Sequence, residues 1–359
     1  MLCRTGMLGR VKRFLSYDFP VMSDCSGAEG GILALQALGI KVDHISSSEI
    51  NCIATDFIAR NFQPRLFYPD VCDRQLHRQN YRCGALIAGF PCQFSVLRTE
   101  SDLLDEEAAR PFFAIVKTIG ELRVPIYVLE NVLGIKKCLP AVRARLGTLK
   151  EYVHGMMEID SKAIGDVVSR PRLYFIGVLR KVAAPGISSN AKLQKTLDQI
   201  LSKAKQNCTP PTPWYDLLLD DPDQEMPIKR RRQTAPACTP DGFMMLCCSL
   251  LQSDSESASN YIVAAEAIDI LTTLHGNARA CVNVSQQLNR MHLMRRVIPC
   301  LTPGSCLYVM HKGRCLSGLE MMLFQGFDIS KLNLYGMDDK DRGFSSQAAS
   351  CFHSVSLNQ

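Results

Sequence analysis

Long apolar runs are missing from this sequence. None approaches the roughly eighteen residues of a membrane span, so no helical membrane anchor is expected. The first residues, Met1 to Arg13, are basic but lack the apolar core of a secretory signal, which predicts no secretion. Sixteen cysteines include no Cys-x-x-Cys pair, so no metal site is expected. Scattered, unpatterned thiols point instead to a reducing compartment. No internal repeat is visible. The excess of one sign of charge is also small. A net +6 permits a local basic face but does not by itself predict nucleic-acid binding.

What is present is a rhythm. Residues 20–180 alternate strand-like apolar runs with helical ones, as in a doubly wound, mostly parallel α/β sheet. Helices are expected over 30–38, 51–61, 111–122 and 139–148, and a returning helix over 316–324. Residues 184–240 are rich in Pro, Lys, Gln and Asp and read as irregular. Residues 240–310 are mixed, helical near 262–274 and extended near 297–310. The basic run Lys229-Arg230-Arg231-Arg232 follows acidic Asp220-Asp221-Pro222-Asp223. A solvated loop, a phosphate contact and a nuclear import signal all fit it, the last only in a eukaryote; otherwise the cytoplasm is expected.

The most informative stretch runs from Ala85 to Ser95. Its apolar start suits a buried strand, and Gly89-Phe90-Pro91-Cys92-Gln93 breaks it at once. Ligands and reactive groups gather outside the carboxyl ends of such strands. A cysteine beside a strand is more often a small packed hydrophobe, so its company decides. Ile126-Tyr127-Val128-Leu129 ends in Glu130-Asn131-Val132, and Ser169-Arg170-Pro171-Arg172 opens a third run, Leu173 to Val178. If the three strands are neighbours, a thiol, a carboxyl group and two guanidinium groups converge.

In order and spacing these blocks resemble the cytosine-C5 DNA methyltransferase family, with its Pro-Cys-Gln, Glu-Asn-Val and Gln-x-Arg-x-Arg motifs. The likeness covers most of the chain. Asp24-Cys25-Ser26-Gly27-Ala28-Glu29-Gly30-Gly31 is similar to the family's Gly-rich first block, Ser48-Glu49-Ile50-Asn51 to its second, and Tyr68-Pro69-Asp70-Val71 to its third. Arg314 to Asp328 is similar to the helix and Gln-Gly-Phe turn after its recognition region.

The resemblance implies a class I methyltransferase, Rossmann-like, with a smaller target-recognition lobe. It divides the chain into an extension over 1–19, a catalytic and cofactor-binding domain over 20–183, a recognition region over 184–310 and a returning segment over 311–359. It implies S-adenosylmethionine held by Cys25, Ser26, Gly27, Gly30, Glu49, Ile50, Asp70, Val71, Phe90 and Pro91. Glu49, ending an apolar strand, would take the ribose hydroxyls, Ile50 the adenine face and Asp70 the adenine amine. Cys92 would add to cytosine C6, Glu130 would bind N3 and the exocyclic amine, Arg172 would contact O2 and orient Glu130, and Arg170 would support the loop or a phosphate. The implied partner is double-stranded DNA with its target cytosine flipped out.

The chain also departs from the pattern. Glu29 and Val168 replace a usual Gly and Gln, Phe94 follows Gln93 without the usual Pro, and Ala349-Ser350 stand where Gly-Asn is expected. These changes leave open a weakened relative that acts as a nucleic-acid-binding scaffold, and the resemblance also leaves open a tRNA cytosine methyltransferase, since a related branch of the family acts on RNA. The Cys-Phe-Thr tripeptide typical of the tRNA branch is absent.

Overall fold

The computed structural model describes residues 18–75, 83–91, 109–208, 210, 213–220, 268, 273, 279–285, 293–302 and 305–337. Seven strands form its centre: β1 (Phe19–Asp24), β2 (Val42–Ser48), β3 (Leu66–Tyr68), β4 (Ala85–Gly89), β5 (Ile126–Val132), β6 (Tyr152–Asp160) and β7 (Pro171–Leu179). Their order is β3-β2-β1-β4-β5-β7-β6, with β7 antiparallel to both neighbours and the rest parallel. Strands covered on both faces read as continuous apolar runs, which is why Ala85–Ala88 and Tyr127–Leu129 lack alternation.

The crossovers are helical: α1 (Gly30–Ala37), α2 (Cys52–Asn61), α3 (Arg110–Leu122) and α4 (Leu139–Leu146), close to the expected ranges. Asn51 starts α2 by accepting the backbone N–H of Ile53 and Ala54 on its side-chain oxygen, at 3.0 and 3.1 Å. Along α3, Phe112, Ile115, Val116 and Ile119 recur at helical spacing and bury against Leu86, Tyr127 and Leu129. Each such side chain contributes about 1.5–3 kcal/mol. Tyr127 lies across Gly177 on β7, where a Cβ would collide with its ring, so glycine is required there.

A second, antiparallel sheet comprises β8 (Cys281–Asn283), β9 (Leu307–Val309) and β10 (Arg314–Cys315), in the order β10-β9-β8. Trp214, Val168, Ile298, Leu301, Leu307 and Phe324 pack together beneath it. The join to the large sheet is a backbone zip: Ser169 N–H donates to Ile298 O at 2.8 Å, and Ile298 N–H to Val167 O at 2.9 Å. Helix α6 (Gly318–Phe324) opens on a capping box between Ser317 and Glu320. It packs Leu319 and Met322 against Ala28 and Phe57, under the Gly-rich turn.

The irregular reading of 184–240 fails over α5 (Asn190–Asn207), an eighteen-residue helix. Leu193 and Leu197 pack on Val153, Met157, Ile176 and Val178 of β6 and β7. Its side-chain amides also bond β6: Asn190 Oδ1 accepts from His154 N–H, and Gln194 both accepts from Met156 N–H and donates to Met156 O. In the expected 262–274 helix only 268 and 273 are described, and both are helical.

Candidate active site

Pairing register builds the first half of the site. Gly89 on β4 stands opposite Glu130 on β5, and Val132 stands opposite Arg172 on β7. Because β7 runs antiparallel, its opening residues reach the carboxyl end of β5. Glu130 is 4% exposed and Arg172 8%. Arg172 Nε lies 2.7 Å from Glu130 Oε1, an ion pair off the line of a straight N–H···O bond. Burial works against the Arg172 charge, but Glu130, and then Cys300, outweigh it and hold the guanidinium above its usual pKa.

Cys300 arrives from the smaller sheet's side of the molecule. Its sulfur accepts from Arg172 Nη2 at 3.6 Å and from Arg170 Nη1 at 3.9 Å. Arg170 is buried, and its backbone N–H donates to Asp160 Oδ1 at 2.9 Å. Asn131 Nδ2 donates to Phe90 O at 3.0 Å, tying the Phe90-Pro91 turn to β5. The Phe90 ring packs on Phe112 at 4.9 Å between centroids. Cys92, Gln93 and Phe94, with the chain that follows up to residue 108, lie outside the described residues.

The second half lies across β1, β2 and β3. Cys25, Gly27 and Glu29 adopt left-handed φ values of 49°, 54° and 57°, which coil the chain tightly between β1 and α1, and Gly30 opens that helix. Ser26 N–H donates to Ser48 O at 3.0 Å, seating the turn on β2. Glu49 follows β2, where Gly27 N–H donates to its Oε2 at 2.7 Å and Asn51 N–H to its Oε1 at 2.9 Å. Burial raises the Glu49 pKa, with the backbone bonds pulling against it. Asp70, at the end of neighbouring β3, accepts from Cys72 N–H at 2.8 Å, and Val71 is buried behind it.

These residues fit an adenosyl-type cofactor. The Ser26 hydroxyl is buried without a hydrogen-bond partner among the described residues. Ile50 leaves an apolar side chain 81% exposed beside Glu49. Each Glu49 oxygen accepts one backbone N–H and keeps a lone pair for a ligand hydroxyl.

Several expectations need correction. Glu49 does not end an apolar strand, because the inner residues of β2 are buried Ser46, Ser47 and Ser48. Glu29, which stands in place of the usual Gly, turns inward onto β2. It is 0% exposed, with Oε1 accepting from Ser47 Oγ at 2.5 Å and lying 3.5 Å from His44 Nε2. Val168 is buried in the bridge to Ile298. Ala349 and Ser350, and the basic run at 229–232, lie outside the described residues.

Sequence reasoning missed other residues. Asn131 sits inside a recognised block, so its amide was a readable signal. The buried ion pair of Asp24 and Arg74, with Ser48 Oγ donating to Asp24 at 3.0 Å, carried none. Cys300 had a faint one: Cys300-Leu301-Thr302 differs from Cys-Phe-Thr only at its centre.

A sheet in this order, with acidic residues closing adjacent parallel strands, is the class I methyltransferase fold. The model of the family C-5 cytosine-specific DNA methylase matches residues 19–352, and the chain belongs to that family. Among curated proteins, the DNA (cytosine-5-)-methyltransferase DMT5 of Cryptococcus neoformans var. grubii is 23% identical over 379 aligned positions. That alignment covers 88% of this chain but only 16% of the fungal protein. Among solved structures, the S. pombe Dnmt2 methyltransferase superposes with TM-score 0.56 at 13% identity, covering 95% of each chain. The Entamoeba histolytica methyltransferase EhMeth gives TM-score 0.57 at 14% identity, again over 95% of each. At such identities the structures speak for the fold alone. The family in general uses S-adenosylmethionine and acts on nucleic acid.

Proposed function

We propose that this chain is a DNA (cytosine-5)-methyltransferase that works on a flipped cytosine through a covalent Cys92 adduct. The supporting observation is the buried Glu130–Arg172 pair, one strand over from the turn that leads into Cys92. Cytosine C5 is a poor nucleophile. Addition of the Cys92 thiolate to C6 makes the ring enamine-like and C5 nucleophilic, which splits one hard step into easier ones. Glu130 hydrogen-bonds N3 and the exocyclic amine as charge builds on the ring. Arg172 fixes the Glu130 carboxylate and reaches O2, while Arg170 supports the adjoining backbone. Asn131 holds the Phe90-Pro91 turn, and so the approach of Cys92. Bound S-adenosylmethionine, between the Gly-rich turn, Glu49 and Asp70, supplies the methyl group. Expulsion of the Cys92 thiolate with loss of the C5 proton restores the aromatic ring.

The test is incubation with labelled S-adenosylmethionine and either duplex DNA or tRNA. DNA should be labelled, and DNA containing 5-fluorocytosine should trap a covalent adduct. Labelling of tRNA alone would overturn the substrate, and labelling of neither would overturn the activity. One observation favours the tRNA reading: Cys300, opening the near-match to Cys-Phe-Thr, touches both arginines of the site.

A further inference from the structure

Helix α5 carries more positive charge than its packing uses. Between Arg180 and Asn207 the chain has Arg180, Lys181, Lys192, Lys195, Lys203 and Lys205 against one acid, Asp198. All six cations are exposed. Among the described residues, none of the six forms an ion pair. Asp198 itself accepts from the Gln194 amide at 2.9 Å. An ordinary solvated helix alternates its charges, gaining a few tenths of a kcal/mol per opposite pair, whereas Lys192 and Lys195 are like charges three apart.

The charges are also arranged. Leu193 and Leu197 fix the buried side of α5. Helical spacing then sets Lys192, Lys195 and Lys203, with Gln199, in one outward stripe. From Lys192 to Lys203 the stripe spans about 17 Å, a length over which a DNA duplex presents on the order of ten phosphates. It is held rigid, because Asn190 and Gln194 bond the β6 backbone directly. The helix runs alongside β6 and ends where Cys208 Sγ meets Ala163 O at 3.9 Å. Ala163 lies in the short connection from Asp160 to Arg170, so the stripe finishes on the catalytic edge of the sheet.

We propose that this stripe is a second DNA contact, taking the phosphodiester backbone of duplex flanking the target cytosine. The proposal rests on the DNA reading above and adds a surface remote from the Glu130–Arg172 pair.

Its test is fluorescence anisotropy on the full chain carrying Lys192→Gln, Lys195→Gln and Lys203→Gln, with no turnover required. A short duplex of about 12 base pairs and a long one of about 40, each with one central target, are titrated across 50–200 mM salt. The variant should bind the long duplex at least about tenfold more weakly. Its slope of log affinity against log salt should be shallower by about two to three, since each lost phosphate contact removes roughly 0.9. Short-duplex affinity and the melting temperature should match wild type, the latter because the three side chains are exposed. Unchanged long-duplex affinity and slope would overturn the stripe while leaving the DNA reading standing. Failure of wild type to bind either duplex would overturn the DNA reading and the stripe with it. Lysine-dependent binding of tRNA but not of the long duplex would overturn the assignment to DNA.

Discussion

Two carboxylates, one buried and one half-buried, stand at strand ends of one sheet, and their partners differ in kind. Glu130 is answered by a guanidinium group, Arg172, at 2.7 Å. Glu49 is answered by two backbone amides, those of Gly27 and Asn51. A guanidinium brings a full charge on a side chain that substitution can remove. Amides bring partial charges fixed by the path of the chain, here a turn with three left-handed residues. The Glu130 half is therefore vulnerable to loss of charge, and the Glu49 half to change of backbone.

The largest expected effect concerns Cys92. Cys92→Ser should lower methyl transfer by on the order of 10⁴-fold or more, the scale seen when a nucleophile is removed. DNA affinity should be nearly unchanged, and the fluorocytosine adduct should disappear. Near-wild-type turnover in this variant would end the covalent mechanism.

Next comes the charge pair. Arg172→Ala should destabilise the fold by about 3–5 kcal/mol, because it leaves Glu130 buried without its counter-charge. The double variant Glu130→Leu, Arg172→Met should recover most of that stability and remain inactive. Urea melts of both, beside methylation assays, would separate the pair's chemical role from its structural one. Equal instability in single and double variants would show that packing, not charge, governs this half.

Glu49→Ala should weaken S-adenosylmethionine binding by about 1–3 kcal/mol, read by calorimetric titration. The same residue sets a pH trend. Burial raises its folded pKa, so its contribution to stability is present at low pH and lost as pH rises through the folded value. Cofactor affinity should run the other way, since ligand hydroxyls need the carboxylate as acceptor. Binding should weaken on acidification above the pH range of an ordinary glutamate, and Glu49→Gln should abolish that dependence.

The smallest effect is expected at Glu29. Glu29→Gly relieves a left-handed side-chain residue but removes the acceptor from Ser47. Stability should fall by about 1 kcal/mol, with cofactor affinity unchanged because the carboxylate faces β2. Tighter cofactor binding in this variant would show that the turn is strained against its ligand.

The sheet centre was legible because β4 and β5 are apolar runs ending in Gly89 and the Glu130 block, and β7 is an apolar run opening on Arg172. Sequence spacing could not reveal that β7 runs backwards, yet that reversal brings Arg172 to Glu130. Helix α5 was hidden by composition: only Leu193 and Leu197 of its residues are buried, and the rest read as polar linker. Cys300 was legible only faintly, in its near-match to Cys-Phe-Thr, and its place in the site not at all. Its partners are 128 and 130 residues away, a proximity no local pattern encodes. Glu29 was legible as a departure from the usual Gly, but the course of its side chain was not, because the buried serines of β2 that receive it look unremarkable in sequence.

The amide bonds between α5 and β6 have a consequence for assembly. An outermost strand ordinarily offers a row of free donors and acceptors on which another chain can grow. Here His154 and Met156 already spend those groups on Asn190 and Gln194. At the opposite margin, β3 is only three residues long, too brief a template. Among the described residues, neither flank of the large sheet therefore offers a long free edge, and adding a strand to β6 would first have to displace the Asn190 and Gln194 amides.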